Sequence, residues 1–489
     1  DLNMAFLIGG ANSAADTGFS VANSCRFNDG DSPQMIRTLA DKNQKTFTFS
    51  VWLKRSIDAT DQHLFGTYTD DNNRFHIYFD NGTGQLWVLN IVSGSSTLVF
   101  KTNRVFRDCS AWINIVVAVD TTQGTEGNRV KIYINGTRET SWATETYPSE
   151  DADMYVNNNL VHYIGRNPGA TNYYFDGYMA ELVWIDGTQY AASDFGEFDE
   201  DSPNIWKPKD VSGLTFGDNG AYLDFEDSDN LGDDESGNTN DWAETNLAAA
   251  DQATDSPTNN FATLNSVVGQ TGSTFSEGNC KLVTSSALGG GNFSTIAASA
   301  GKWYAEVKLT AHSAASAIEA IMGVSDTSHV AAFNDGDYTT FLSRYAPGNW
   351  GILNYSGRTY QTASGTAGVT DSQHPGWAVN DIMGIGLDCD NQRVYFSKNG
   401  DWWDATDGFG GGSPDDYVTI QSDFGEKNYV FSIGDSSTGS TCTWECNFGG
   451  CSAFAISSAV NDANGYGNFE YAPPSGFLAL CTKNLGSDG

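Results

Sequence analysis

Two kinds of side chain in this sequence could do chemistry: loop carboxylates and loop aromatics. Asp70-Asp71-Asn72-Asn73 and Asp80-Asn81-Gly82 flank one short alternating segment. Hard oxygen ligands clustered in loops suit Ca²⁺, which makes Asp70, Asp71 and Asp80 the expected cation ligands. The same residues suit turns in which Asx side chains accept hydrogen bonds from their own backbone, so both readings stand. A second acidic loop, Asp233-Asp234-Glu235 to Asp241, does not match an EF-hand loop, which needs a Glu at its twelfth position. The loop aromatics include Tyr345, Trp350, Tyr355, Tyr360, Trp402 and Trp403. Exposed Trp and Tyr stack on sugar rings or anchor protein contacts. Trp350, Tyr355, Tyr360, Trp402 and Trp403 are therefore the expected carbohydrate-binding residues. Adjacent residues on a strand point opposite ways, so one of Trp402 and Trp403 is expected to face solvent.

Catalytic constellations are harder to find. Glycoside hydrolysis needs two carboxylates about 5–10 Å apart, on a strand most simply at i and i+2 or i+4. Asp199-Glu200-Asp201 stands beside Ser202-Pro203, which reads as a loop. No catalytic residue is assigned, and the chain is expected not to be an enzyme. The eight Cys contain no CxxC pair, which excludes zinc-ribbon spacing. Most lie in apolar strand-like runs and are expected as buried thiols. Around Cys442, Cys446 and Cys451 a disulfide is the alternative.

Composition bounds the partners. The 489 residues hold 25 Lys+Arg against 61 Asp+Glu, a formal net charge of −36. Such a field does not attract the phosphate backbone of nucleic acid, and it is repelled by anionic lipid. With 18% charged and 13% aromatic residues, the chain is not a disordered acidic tail. It has no apolar run approaching the roughly 18–20 residues of a membrane-spanning helix. Asp1-Leu2-Asn3-Met4 lacks the basic stretch of a secretory signal.

The elements that must position these residues are strands. Phe47 to Lys54, Phe75-His76-Ile77-Tyr78-Phe79, Arg129 to Ile134 and Trp303 to Val307 alternate in side-chain character. Asn81-Gly82, Asn135-Gly136, Asp186-Gly187 and Asn399-Gly400 supply hairpin turns. One short helix is expected over Ala191 to Phe198. The pattern predicts an all-β protein of two antiparallel β-sandwich domains. Asp224 to Asn260 is rich in Asp, Asn, Ser, Thr and Gly. The expected division is a first sandwich over 1–222, an acidic polar linker over 223–262, a second sandwich over 263–482 and a tail over 483–489.

Four ordered pieces of the first half carry a resemblance: Phe49 to Arg55, Trp112 to Asp120, Val130 to Gly136, and Phe175-Asp176-Gly177-Tyr178-Met179-Ala180-Glu181-Leu182. Together they resemble laminin-G-like, concanavalin A-like jelly rolls, which implies two packed sheets, sugar binding or glycosidase chemistry, and calcium at a sheet edge. The Glu-x-Asp-x-x-Glu strand of the hydrolases of that fold is missing here. In the second half, Gly301 to Val307, Ile321 to Ser325, Asn380 to Asp390 and Arg393 to Gly400 resemble a SPRY domain, which implies a non-catalytic binding module. A Gly-, Asp- and Trp-rich insertion from Trp402 to Tyr417 departs from that pattern. With Ser24-Cys25-Arg26-Phe27-Asn28-Asp29-Gly30 and the Pro473-Pro474-Ser475-Gly476 tail, the whole order resembles structural proteins of tailed phages of marine bacteria. That resemblance implies a virion-surface protein made in the host cytoplasm: a tail fibre, appendage or capsid-surface component. Its expected partners are host-surface glycans, other virion proteins and further copies of itself, a trimer by analogy with fibres. Two alternatives remain, a purely structural decoration or filament subunit, and a secreted bacterial adhesin or polysaccharide-degrading enzyme.

Overall fold

A computed structural model describes residues 7–8, 18–56, 60–200, 202–268, 272–285, 290–313, 320–328, 348–354, 359–361, 369–370, 376–404, 408–421, 425–435 and 439–488. The chain divides into two units: Asp16–Thr258, and Asn259–Gly489 together with Asp1–Ala15. In the second unit the two-residue strand β1 (Leu7–Ile8) runs parallel to Ile296–Ala297.

The first unit contains β2 (Ser24–Phe27), β3 (Gln34–Thr38), β4 (Thr46–Arg55), β5 (Gln62–Asp70), β6 (Asn73–Phe79), β7 (Gln85–Val92) and β8 (Ser95–Val105). It continues with β9 (Ile113–Asp120), a helical turn α1 (Glu126–Arg129), β10 (Val130–Ile134), β11 (Thr137–Arg138), β12 (Trp142–Thr146), β13 (Val161–Ile164) and β14 (Gly177–Asp186). Short strands β15 (Gly196–Phe198), β16 (Trp206–Pro208), β17 (Ala221–Leu223), β18 (Ala243–Thr245) and β19 (Gln252–Ala253) complete it. Two eight-stranded sheets result. One runs β11-β10-β9-β4-β14-β2-β19 with β17 added on β14, the other β12-β8-β7-β6-β5-β13-β3-β18. Their inner faces meet in a core that includes Phe49, Phe65, Phe75, Trp184 and Trp242.

The two sheets differ on their outer faces, and the sequence pattern shows why. Strand β14 is buried at every position, and β4 at all but its first. A separate cluster in which Phe195, Val211, Phe216 and Tyr222 pack on Val116, Val183 and Ile185 covers the outer side of that sheet. Strands β7 and β8 instead largely alternate between buried and partly exposed positions, the signature of a sheet with one free face. Gly177 opens β14 at φ +144°, where a Cβ would stand 2.2 Å from the Lys54 carbonyl oxygen, so no other residue fits that crossing.

The second unit contains β20 (Thr274–Ser276), β21 (Lys281–Val283), β22 (Gly291–Phe293), β23 (Ile296–Ala297), β24 (Lys302–His312), β25 (Ala320–Asp326), β26 (Asn349–Leu353), β27 (Thr359–Gln361) and β28 (Val369–Thr370). After these come β29 (Ile382–Asp388), β30 (Arg393–Lys398), β31 (Asp401–Asp404), β32 (Gly408–Gly411), β33 (Val418–Thr419), β34 (Tyr429–Asp435), β35 (Cys442–Asn447), β36 (Leu478–Ala479) and the helix α2 (Thr482–Asp488). The sheets run β20-β21-β35-β24-β29-β30-β31-β32 and β22-β34-β25-β26-β27-β28. A core that includes Trp303, Trp350, Trp403 and Trp444 lies between them. Buried Glu306 ties the C-terminal segment to β24: its carboxylate accepts the backbone amides of Glu470 (3.0 Å) and Tyr471 (2.8 Å) and the Asn447 side-chain amide (3.0 Å).

The all-β, antiparallel class expected from the periodicity is the observed one. Several boundaries differ. Residues 223–258, expected within a linker, belong to the first unit. Leu223, Phe225, Leu231 and Trp242 enter its core, β18 pairs with β3, and β19 pairs with β2. Some of their Asp and Asn residues are buried and close turns: Asp234 accepts the amides of Tyr222 (2.9 Å), Ser236 (2.9 Å) and Asn240 (2.7 Å). The expected tail forms α2, with Leu485 in the core. Ala191 to Phe198 is a 3₁₀ turn over Ala192–Asp194 followed by strand β15. All eight cysteines are thiols. Cys442 and Cys446 share one face of β35 but stand four residues apart, roughly 13 Å at strand rise, too far for a disulfide.

Candidate functional site

The free outer face of the first unit carries an ordered row of side chains. On β6, Phe75, Ile77 and Phe79 point into the core, so Arg74, His76 and Tyr78 must point out. On β7, Leu86 and Val88 point in, and Trp87 and Leu89 point out. Register aligns these outward groups across four strands: His63 of β5 lies opposite Tyr78, Tyr78 opposite Trp87, and Trp87 opposite Lys101 of β8. The rings of His63 and Tyr78 stack at 4.7 Å and 6°, and those of Tyr78 and Trp87 at 5.9 Å and 24°. The Lys101 ammonium caps the row 4.6 Å from the Trp87 ring. His76 sits in the next row and meets His63 edge-on at 5.1 Å.

Beside this ladder lies a cleft of about 290 Å³. Its walls include Asp61, Tyr68, Asp71, Arg74 and Asn167, over a base that includes His63, His76 and Tyr78. The one guanidinium is already engaged: Arg74 pairs with the Asp71 carboxylate at 3.1 Å and donates to the Asp71 carbonyl at 2.7 Å. Asp61 accepts the Asn81 backbone amide at 2.6 Å. Burial sets the ionisation of the base. Desolvation, with His76 beside it, holds His63 well below its usual range. Desolvation, with Arg74 nearby, pushes His76 down to about 3. Burial, reinforced by Asp61 and Asp80, raises the Tyr78 phenol. At neutral pH the base is therefore a set of uncharged polar groups, each able to hydrogen-bond to a neutral polar ligand.

The structure distributes the expected site residues differently. Asp70 and Asp71 close the β5–β6 turn, whereas Asp80 closes the β6–β7 turn at the far end of β6, roughly 20 Å away at strand rise. Their carboxylates serve their own turns. Asp70 accepts the Asn72 amide (2.8 Å) and the Asn73 side-chain amide (3.0 Å), and Asp80 accepts the Thr83 hydroxyl (2.7 Å). The three do not fit one Ca²⁺ ion, and among the described residues no group of three or more His, Cys, Asp or Glu could hold a metal.

The aromatic expectations also change. Trp350 is a core residue, 1% exposed, packed edge-on against Tyr429. Trp402 and Trp403 do point to opposite faces of β31, but both faces are covered. Trp403 joins the main core, and Trp402 joins a second layer with Tyr304, Tyr395, Phe469 and Phe477. The expected solvent-facing Trp is thus absent from this pair, because the segment carrying Phe469 and Phe477 roofs the sheet. Tyr355 lies outside the described residues, and of Tyr360 only its backbone place on β27 is described.

The cleft was missed at the sequence level although its signal is visible. In Phe75-His76-Ile77-Tyr78-Phe79 the outward half of the alternation is His and Tyr, where a solvated face ordinarily carries Ser, Thr or Lys. His63 could not be added without the β5–β6 register.

Residues 28–191 match a family model described as the Concanavalin A-like lectin/glucanases superfamily. No curated protein matches the chain. Among solved structures, the SPRY domain of human HERC1 aligns at 14% identity and TM-score 0.29, over 39% of this chain and 99% of that one. Domains LG4-5 of the mouse laminin alpha1 chain align at 9% identity and TM-score 0.28, over 91% and 93%. A putative carbohydrate binding protein from Bacteroides ovatus aligns at 13% identity and TM-score 0.25, over 36% and 46%. The matched residues 28–191 lie within Asp16–Thr258, whose two packed antiparallel sheets resemble the concanavalin A-like jelly-roll fold.

Proposed function

We propose that the first unit is a non-enzymatic carbohydrate-binding module that binds at the outer face of strands β5 to β8. The observation that carries this reading is the cleft itself, set on the outer sheet face, with an aromatic and uncharged polar base and walls that include Asp61, Asp71 and Arg74. The lectin-like superfamily match over the same residues supports it. The test is a glycan array followed by calorimetry on the full chain, with Tyr78→Ala as the site variant. Binding that Tyr78→Ala weakens supports the module. A folded chain silent across the array overturns it.

The finer reading concerns where such binding acts. We infer a virion-surface protein that contacts host glycans, present as a homo-oligomer and joined to other virion proteins. Its support is the sequence order of a laminin-G-like piece, a SPRY-like piece and the acidic, Gly-rich flanks, together with the −36 charge. At high ionic strength the Debye length falls to about 3 Å, which screens that charge. Electron microscopy of an assembly containing the chain tests it: a copy on a fibre or capsid surface supports the reading, and a secreted monomer overturns it.

A further inference from the structure

Two polar atoms at the base of the cleft have no protein partner. His63 Nδ1 and His76 Nε2 are fully buried and meet no hydrogen-bonding group, in residues only 2% and 7% exposed. Buried polar atoms are ordinarily satisfied, and one left open costs about 1–3 kcal/mol. Stacking on Tyr78 and the edge-on contact between the two imidazoles hold both rings in place.

The chemistry of the walls restricts what can satisfy these atoms. A carboxylate or sulfate ester would need a cation, and the cleft's guanidinium is closed by Asp71. Asp61 and Asp71 leave the walls with more negative than positive charge, so an anionic sugar is repelled. A neutral imidazole offers one N–H donor and one lone pair, and a hydroxyl is both acceptor and donor. Two imidazoles with ring centroids 5.1 Å apart set two such groups side by side.

Resting on the proposed carbohydrate-binding reading, we propose that this cleft takes a neutral sugar with adjacent free hydroxyls. His63 and His76 are its specificity-determining hydrogen-bonding residues, and uronate and sulfated sugars are rejected. Neither histidine acts as a charged group, and neither needs a metal.

The experiment is calorimetry on the full chain at neutral pH with three sets of oligosaccharides. Neutral glucan and mannan oligomers form one set, oligouronates and sulfated galactans a second, and chitosan oligomers a third. The expected result is binding by a neutral oligomer, weakened about tenfold or more in both His63→Phe and His76→Phe, the loss expected of one hydrogen bond in a desolvated site. His76→Gln keeps a donor and an acceptor and is expected to bind within a few-fold of the parent. Nitrogen-15 spectra of the unmutated chain supply a readout independent of variant folding: both imidazole signals shift on addition of the neutral oligomer. Tighter binding of an anionic or cationic set, undiminished binding in both Phe variants, or unmoved imidazole signals overturns the inference while leaving carbohydrate binding intact. If no sugar of any charge binds the folded chain, both readings fall.

Discussion

Protonating His76 should cost the first unit stability by an amount that can be worked out. Burial and the nearby Arg74 place its folded value at about 3, against an ordinary 6.5. A lowered folded value means that the unfolded chain binds the proton more tightly. The stability contribution is therefore complete above 6.5 and drains as the pH falls toward 3. Each unit in that window is worth about 1.4 kcal/mol, so going from pH 7 to pH 4.5 removes about 2.7 kcal/mol. His162 in the same unit, brought to about 4 by complete burial, removes a similar amount. Glu181 works the other way. Burial raises it to about 8 despite the Tyr222 hydroxyl at 2.8 Å, so its share grows on acidification, by about 3 kcal/mol over the same interval. The net slope of the parent protein thus hides each contribution, and a comparison with His76→Phe reads the share of His76 together with its smaller effect on His63. Urea unfolding of the first unit is measured at pH 7 and pH 4.5 for both proteins. The pH-dependent change should differ between them by about 2–3 kcal/mol, whatever the substitution costs by itself. Equal changes in the two proteins would refute the claim that His76 is held neutral by burial.

Three further perturbations read other parts of the structure. Between pH 5 and pH 9 the first unit should lose about 4 kcal/mol as Glu181 is forced to ionise, because stability gained from a raised carboxyl is complete below 4.5 and is lost through its folded value; Glu181→Gln should lack this loss in urea titrations at the two pH values. Lys54→Met should destabilise the first unit by about 3–5 kcal/mol in thermal denaturation, since it removes the cation from a 2.8 Å ion pair 1% exposed on both sides and leaves the buried Asp255 charge to neutral donors such as the Trp112 indole N–H (2.9 Å). Replacing Asp255 by Asn in the same chain should recover part of that loss. Trp402→Ala should cost the second unit about 3–5 kcal/mol, as core aromatics do, whereas a solvent-facing Trp would cost less than about 0.5 kcal/mol.

Much of the fold was legible because strand periodicity is local. Alternation along Phe47 to Lys54 and Phe75 to Phe79, with Asn-Gly and Asp-Gly at the turns, gave the class and many of the strands. The linker was misread because Asp, Asn and Gly look alike whether they solvate a tether or cap turns inside a domain. Only Leu223, Phe225, Leu231 and Trp242, reaching the core together, distinguish the two cases. The site was misread for a related reason. Composition shows that Trp402, Trp403 and Trp350 are aromatic, but whether a sheet face is roofed depends on chain that returns from far along the sequence. Phe469 and Phe477 cover the second unit's sheet, whereas Tyr78 and Trp87 on the first unit's outer face stay partly exposed.

By itself the sequence determined many of the strands, the two-sandwich class, the strongly acidic net charge and the absence of zinc-ribbon spacing. Those properties follow from neighbours along the chain or from sums over it. Tertiary structure alone decided which sheet face stays open, that Asp70 and Asp71 stand a strand's length from Asp80, and that His63 meets His76. These depend on register and on long-range cover: moving one strand by a single residue turns every side chain to the opposite face.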